Sequence, residues 1–230
     1  MLFVDRDYVG EMVEFATNGK MSQGYLAEPS SGGGPGVIVI QEWWGLVDHI
    51  KDVSDRLASE GFVALAPDMY HGERASGPDD AGKLMMALNI DTVEKDLRGA
   101  IKCLLTRATG DRVGTVGFCM GGQLSLFAAC VNPQVGACVN FYGIHPSVEP
   151  NLDNLRAPVL GFFAEHDEFV PPAAARQLET DLREAGKQAD ITVFSGADHA
   201  FFNDTRVEVY HQKYAAECWD KMIKFYREQL

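Results

Sequence analysis

The segment Gly117-Phe118-Cys119-Met120-Gly121 sets a nucleophilic side chain between two glycines, directly after the strand-like run Val113–Val116 and directly before a helical pattern. This is the nucleophile-elbow arrangement with Cys in the position usually held by Ser. The strand-to-helix turn is sharp, and residues larger than Gly at 117 and 121 would clash with neighbouring backbone. Cys119 then stands exposed at the positive end of the following helix, and the Met120 N–H points at the same spot as one oxyanion donor. A thiol nucleophile needs a base, and the base needs an orienting group. In this arrangement the chain order is nucleophile, acid, His. Asp167 follows the run Val159–Ala164, and His199 follows Ile191–Phe194, so both stand where such a triad needs them. Asp198, Glu165 and Glu168 compete for the acid's role, and His166 for the base's. The ordered set Cys119, Asp167, His199 outweighs any single member.

Glu42 is a further candidate. It lies just past the apolar run Val37–Ile40, in Gln41-Glu42-Trp43-Trp44-Gly45. A carboxyl between a buried strand and two tryptophans is desolvated, which raises its pKa. The same loop commonly supplies the second oxyanion N–H, here from Trp43. His49, His71, His145 and His211 read as surface or loop residues, and the cysteines other than Cys119 as small buried hydrophobes.

These groups have to be positioned by a scaffold, and the chain shows one. Two strands are expected around Met12–Ala16 and Gly24–Glu28. Then strand-like runs (Val37–Ile40, Phe62–Ala66, Val113–Val116, Val139–Tyr142, Val159–Ala164, Ile191–Phe194) alternate with helical patterns. The helices are expected over Asp48–Glu60, Lys83–Ala87, Asp91–Thr106, Met120–Val131, Pro171 to about Ala185, and Glu208–Gln229, with a polar loop at Tyr70–Asp80. This alternation predicts an α/β fold with a mostly parallel central sheet and helices on both faces, in a single domain spanning residues 1–230. Active groups in such a sheet gather beyond the carboxyl ends of the strands.

Composition narrows the partners. The 230 residues carry 20 Lys and Arg against 33 Asp and Glu, a formal charge of −13. That balance argues against nucleic acid, whose phosphates are met by cations, and against an anionic membrane surface. The five cysteines form no CxxC or zinc-ligand spacing, so no metal site or disulfide framework is expected. Asp5, Arg6 and Asp7 stand where a secretory signal would need its apolar stretch. A cytoplasmic protein, monomeric or a small homo-oligomer, is the expectation.

Taken in order, Gln41-Glu42-Trp43-Trp44-Gly45, Ala66-Pro67-Asp68-Met69-Tyr70, Gly117-Phe118-Cys119-Met120-Gly121-Gly122, His166-Asp167-Glu168-Phe169-Val170-Pro171 and Asp198-His199-Ala200-Phe201 resemble the dienelactone hydrolase family, the Cys-nucleophile branch of the α/β-hydrolases. The resemblance implies Cys119 as nucleophile, His199 as base, Asp167 as its orienting acid and Glu42 as partner of the resting thiol. It also implies an oxyanion pocket built from the Trp43 and Met120 N–H groups. Family members that open dienelactone grip its carboxylate with arginines, one shortly after the Asp-x-Tyr piece and one four residues beyond the catalytic His. Here Tyr70 is followed by His71 and Gly72, with Arg74 later. Asn203 occupies the second position, and Arg206 is the nearest arginine downstream. His71, Arg74, Arg206, Trp44 and Phe201 are therefore the candidate substrate-binding residues.

The implied function is hydrolysis of a small ester or lactone through a covalent thioester, which needs no cofactor. A general carboxylesterase or thioesterase using the same triad is one alternative. A non-catalytic binding or thiol-redox protein on a hydrolase scaffold is another, in which Cys119 is oxidised rather than acylated.

Overall fold

β-Branched runs buried on both sides form parallel strands, and here they build most of an eight-stranded sheet. A computed structural model describes residues 8–145 and 147–230; Asp5, Arg6 and Asp7 lie outside the described residues. The strands are β1 (Tyr8–Thr17), β2 (Lys20–Pro29), β3 (Pro35–Ile40), β4 (Val63–Pro67), β5 (Thr109–Phe118), β6 (Val135–Phe141), β7 (Val159–His166) and β8 (Ala189–Asp198). Their order across the sheet is β1-β2-β4-β3-β5-β6-β7-β8. β1 and β2 form an antiparallel hairpin whose second strand pairs antiparallel with β4, and every pairing from β4 to β8 is parallel.

The helices are α1 (Asp48–Ser59), α2 (Pro78–Ala87), α3 (Ile90–Leu104), α4 (Met120–Val131), α5 (Pro172–Glu184) and α6 (Gln212–Gln229). Alternate residues of one strand feed opposite faces of the sheet. Ile38 and Ile40 pack with Leu97 and Ile101 of α3 and with Leu124 and Ala128 of α4. Val37 and Val39 pack with Ile50, Val53 and Leu57 of α1 and with Met222 and Tyr226 of α6. The sheet is thus the middle of three layers, as the alternation predicted.

The boundaries differ in ways that have local causes. α2 begins at Pro78, inside the stretch expected to be loop, because Pro fits the first helical position and Asp79 and Asp80 favour the first turn. α6 begins at Gln212 rather than Glu208, since His211 accepts the Tyr214 N–H as its cap. β6 starts four residues early and stops at Phe141, leaving Tyr142 outside the strand with φ 40°. His49 and His145 are buried rather than on the surface. Burial holds the His49 imidazole down at about 4, against the pull of Asp204.

Candidate active site

Six strand ends deliver the site's polar groups. Glu42 follows β3, Asp68 follows β4, Cys119 follows β5, Tyr142 follows β6, Asp167 follows β7 and His199 follows β8. The parallel strands bring all of these to one edge of the sheet.

At Cys119 the backbone turns through φ 55° and ψ −124°, a conformation a non-Gly residue holds only under constraint. Its N–H donates to the Phe141 carbonyl at 3.0 Å. The flanking glycines are required sterically. A Cβ on Gly117 would lie 1.8 Å from the Gly121 carbonyl oxygen, and one on Gly121 would lie 2.4 Å from the Gln41 carbonyl oxygen. The elbow is therefore wedged against β3, the strand that carries Glu42. Among the described residues no hydrogen bond takes up the Trp43 or Met120 N–H, and Met120 is the first residue of α4. Tyr70 reaches the same helix start, donating to Met120 Sδ at 3.3 Å. Asp68 holds that tyrosine's turn by accepting the Tyr70 and Gly72 N–H groups.

Asp167 is buried, with one oxygen fixed by the main chain. Its Oδ1 accepts the Phe169 N–H at 2.9 Å and the Val170 N–H at 2.7 Å. Its Oδ2 lies 2.6 Å from His199 Nδ1. Cys119 is the other group that acts on the imidazole. Burial pulls the His199 imidazole down, yet Asp167 and Cys119 outweigh it and lift the group to about 10. The rivals Glu165, His166 and Glu168 are exposed. Glu165 accepts from Ser195 Oγ and the Gly196 N–H, and the exposed His166 lies 3.8 Å from Glu165.

A stability consequence follows for His199. A group lifted above its ordinary 6.5 contributes fully below that pH, and the contribution fades as pH rises through about 10. The urea midpoint should therefore fall across that window. In His199→Gln the His199 part of that fall should be missing, which parallel denaturation series would show.

Glu42 is fully buried, in keeping with its place between β3 and the tryptophans. Burial raises its carboxyl above the ordinary range, against the lowering pulls of Asn203, His199 and Arg206. Its hydrogen bond is not to the thiol: Oε2 accepts from Asn203 Nδ2 at 2.8 Å. Sequence reasoning treated Asn203 only as a departure from an arginine, and no local pattern marks it as a partner of Glu42, 161 positions away. Tyr142 was also missed, being read as the end of a strand. Its ring stands edge-on to His199, with centroids 5.1 Å apart. Phe169, 71 % exposed, covers another side of His199 at 5.1 Å and touches Trp43 at 6.1 Å. Trp44 is half-buried and meets Trp43 edge-on at 5.2 Å.

The substrate-binding candidates scatter. His71 turns to α3, where its Nε2 lies 3.0 Å from Asp96 Oδ2, and it lines a cleft of about 220 Å³ with Met69 and Tyr70. Arg206 pairs with Glu208 at 2.9 Å, though its charge acts on Glu42. Arg74 is exposed beside Gly45. Phe201 is a correction: it is fully buried against Tyr142 and Phe194 and belongs to the core, because the chain turns inward after Ala200 at φ 65°.

The remaining cysteines are free thiols. Burial pushes Cys138 up to about 11 and Cys130 up to about 12. No group of three or more His, Cys, Asp or Glu residues among the described residues could hold a metal ion. No helix among them is long and apolar enough to cross a membrane.

Comparison with known proteins agrees with the geometry at the level of the fold and family. The family model described as the dienelactone hydrolase family matches residues 22–230. A protein of Aquifex aeolicus (strain VF5), provisionally named a carboxymethylenebutenolidase, is 39 % identical over 96 % of this chain and 100 % of its own. Protein usf of Aquifex pyrophilus is 40 % identical over the same shares. The crystal structure of a provisionally named dienelactone hydrolase from Klebsiella pneumoniae subsp. pneumoniae MGH 78578 superposes with a TM-score of 0.87 at 30 % identity, covering 96 % of this chain and 98 % of that one. A match that runs from β2 to the last helix, with relatives alike along their full length, means that this α/β-hydrolase-fold chain belongs to the dienelactone hydrolase family and is a carboxylic ester hydrolase.

Proposed function

We propose that the protein hydrolyses a small ester or lactone in two half-reactions at Cys119, with the chain acting as one catalytic domain. The observation that carries this reading is the short Asp167–His199 contact, 2.6 Å, on an imidazole whose proton affinity Cys119 also raises. In the first half-reaction the Cys119 sulfur, its proton held by His199, attacks the acyl carbon. The Trp43 and Met120 N–H groups receive the developing oxyanion. As the carbonyl re-forms, the C–O bond to the leaving group breaks and His199 passes its proton to that oxygen. The product is a Cys119 thioester beside a neutral His199.

That neutrality matters for the second half-reaction. Part of what lifts His199 is the charge on Cys119, and acylation removes that charge. The imidazole then becomes free to take a proton from water. The hydroxide equivalent attacks the thioester, the C–S bond breaks, and the acid leaves while the sulfur and imidazolium are restored. Glu42 faces His199 across this cycle, and its raised carboxyl is the more basic for being buried.

A wider carboxylesterase or thioesterase range is the second reading, favoured by one observation. Two side chains that could grip a substrate carboxylate already have acidic partners, His71 with Asp96 and Arg206 with Glu208. Rates on dienelactone, p-nitrophenyl acetate and an acyl thioester separate the readings. Dienelactone as the fastest would keep the lactonase reading, and equal or better rates on the other two would replace it. The triad itself is tested in the same panel after iodoacetamide treatment. Complete alkylation of Cys119 should remove all three activities, and undiminished turnover would overturn the mechanism. Action on a small molecule in the cytoplasm, as a monomer or small homo-oligomer and without nucleic acid, belongs to the same proposal.

A further inference from the structure

Glu42 Oε1 and the Tyr142 hydroxyl, both buried at the active edge, have no hydrogen-bond partner among the described residues, and neither has the neighbouring Gln41 Nε2. Their surroundings are otherwise closely specified. Asn203 is buried, and its Oδ1 accepts from both the N–H and the hydroxyl of Thr205, at 3.0 and 2.6 Å. That fixes the amide's orientation, so Nδ2 must face Glu42 Oε2, at 2.8 Å. One carboxyl oxygen therefore has a locked, neutral donor, and the other has none. A buried carboxylate with a single donor is poorly compensated for its lost water.

Tyr142 follows β6 at the same edge, with its ring 5.1 Å from that of His199. It is wholly buried, and its ring meets Phe118, Phe141, His199 and Phe201. Its backbone sits at φ 40°, outlying for an aromatic residue. The surroundings enforce this. The Tyr142 N–H donates to the Phe162 carbonyl at 2.7 Å, and the Asn140 side chain bonds both the N–H and the carbonyl of Gly143. Beyond burial, the groups acting most on the phenol are Glu42 and then Cys119. The packing alone gives no reason for a hydroxyl here, since Phe would fill the space without burying an unpaired oxygen.

We propose that Tyr142 is a positioning residue: in the working enzyme its hydroxyl donates to Oε1 of Glu42 and, with Asn203, seats that carboxylate facing His199. The inference rests on the role given above to Glu42 and Cys119. The charged and titratable groups acting on Glu42 are His199 and Arg206 from the segment after β8, and those acting on Tyr142 are Glu42, Cys119 from the elbow, Cys218 of α6 and Arg206.

The test is the pH profile of Cys119 alkylation by iodoacetamide in the wild type, Tyr142→Phe, Glu42→Gln and the double variant. Peptide mass mapping scores the half-buried Cys103 separately. A donor to a carboxylate stabilises its charged form, so losing the donor moves the Glu42 titration to higher pH. Tyr142→Phe should shift the acid limb upward by about half a pH unit or more. The same substitution should do nothing further in the Glu42→Gln background. A merely structural hydroxyl would leave the profile unchanged, and would raise the melting temperature on removal because an unpaired oxygen is lost. An unchanged profile, or an equal shift in the Glu42→Gln background, would overturn the proposal. Thermal melting checks that the retained ring preserves the fold. Alkylation does not depend on turnover. Should Cys119→Ala still hydrolyse esters, the mechanism falls while this measurement still decides the role of Tyr142.

Discussion

Cys119→Ala is expected to lower kcat/KM for p-nitrophenyl acetate by about a thousandfold or more, with the fold intact. The reasoning is that no other group at the active edge can take over attack. Ser125 is buried in a pair with Thr115, and Tyr70 donates to Met120 while burial raises its hydroxyl far above neutrality. What would survive the substitution is the proposed oxyanion pocket and substrate binding, which by themselves leave only a residual rate. The loss should fall on kcat rather than KM, because the missing bond exists only after substrate is seated. The left-handed backbone at residue 119 is enforced by the Gly117 and Gly121 contacts, and Ala occupies it at no greater cost than Cys. Circular dichroism and a melting curve close to the wild type would confirm that chemistry, not folding, was lost. Retention of even a tenth of the activity would require another nucleophile.

Asp167→Asn should cost nearly as much, about 10³- to 10⁴-fold in kcat, through a proton placed on the wrong nitrogen. The Phe169 and Val170 N–H groups both point at Oδ1 of residue 167. An asparagine must keep its oxygen there, which turns its NH₂ toward His199 Nδ1. The imidazole would then have to accept at Nδ1 and carry its proton on Nε2. Such a ring meets the thiol with a donor and cannot receive its proton. The stability cost should be smaller than the kinetic one, since both main-chain hydrogen bonds survive. Steady-state kinetics beside urea denaturation would separate the two. A variant that loses stability and activity in proportion would argue that Asp167 is structural only.

The residues that could be read from the sequence share a property. Cys119, Asp167 and His199 each follow a recognisable strand, and Cys119 is flanked by glycines whose removal would drive a Cβ into backbone. Local chemistry and topology are enough to place such groups. Glu42 was legible for the same reason, its burial foreshadowed by Val37–Ile40 and the two tryptophans. The Glu42–Asn203–Thr205 chain was not legible, because it joins the ends of β3 and β8 across most of the sequence and leaves no spacing signal. Tyr142 looked like one more strand residue, since nothing local announces that the chain bends after Phe141. The pairing of His71 with Asp96 and of Arg206 with Glu208 depends on tertiary placement as well. Phe201 shows the converse limit. An aromatic two residues past His199 fits a pocket wall and a core equally well until the turn at Ala200 is known.

Covalent catalysis at Cys119 is the claim on which the rest depends, and intact-mass spectrometry of rapidly quenched reactions reads it directly. p-Nitrophenyl acetate mixed with the wild type, and with His199→Gln to slow deacylation, should give a protein heavier by one acetyl group. Peptide mapping should place that group on Cys119, and hydroxylamine should remove it as expected for a thioester. Its appearance should keep pace with the burst of p-nitrophenol. Full turnover with no adduct in either protein, or an adduct mapped to another residue, would contradict the mechanism.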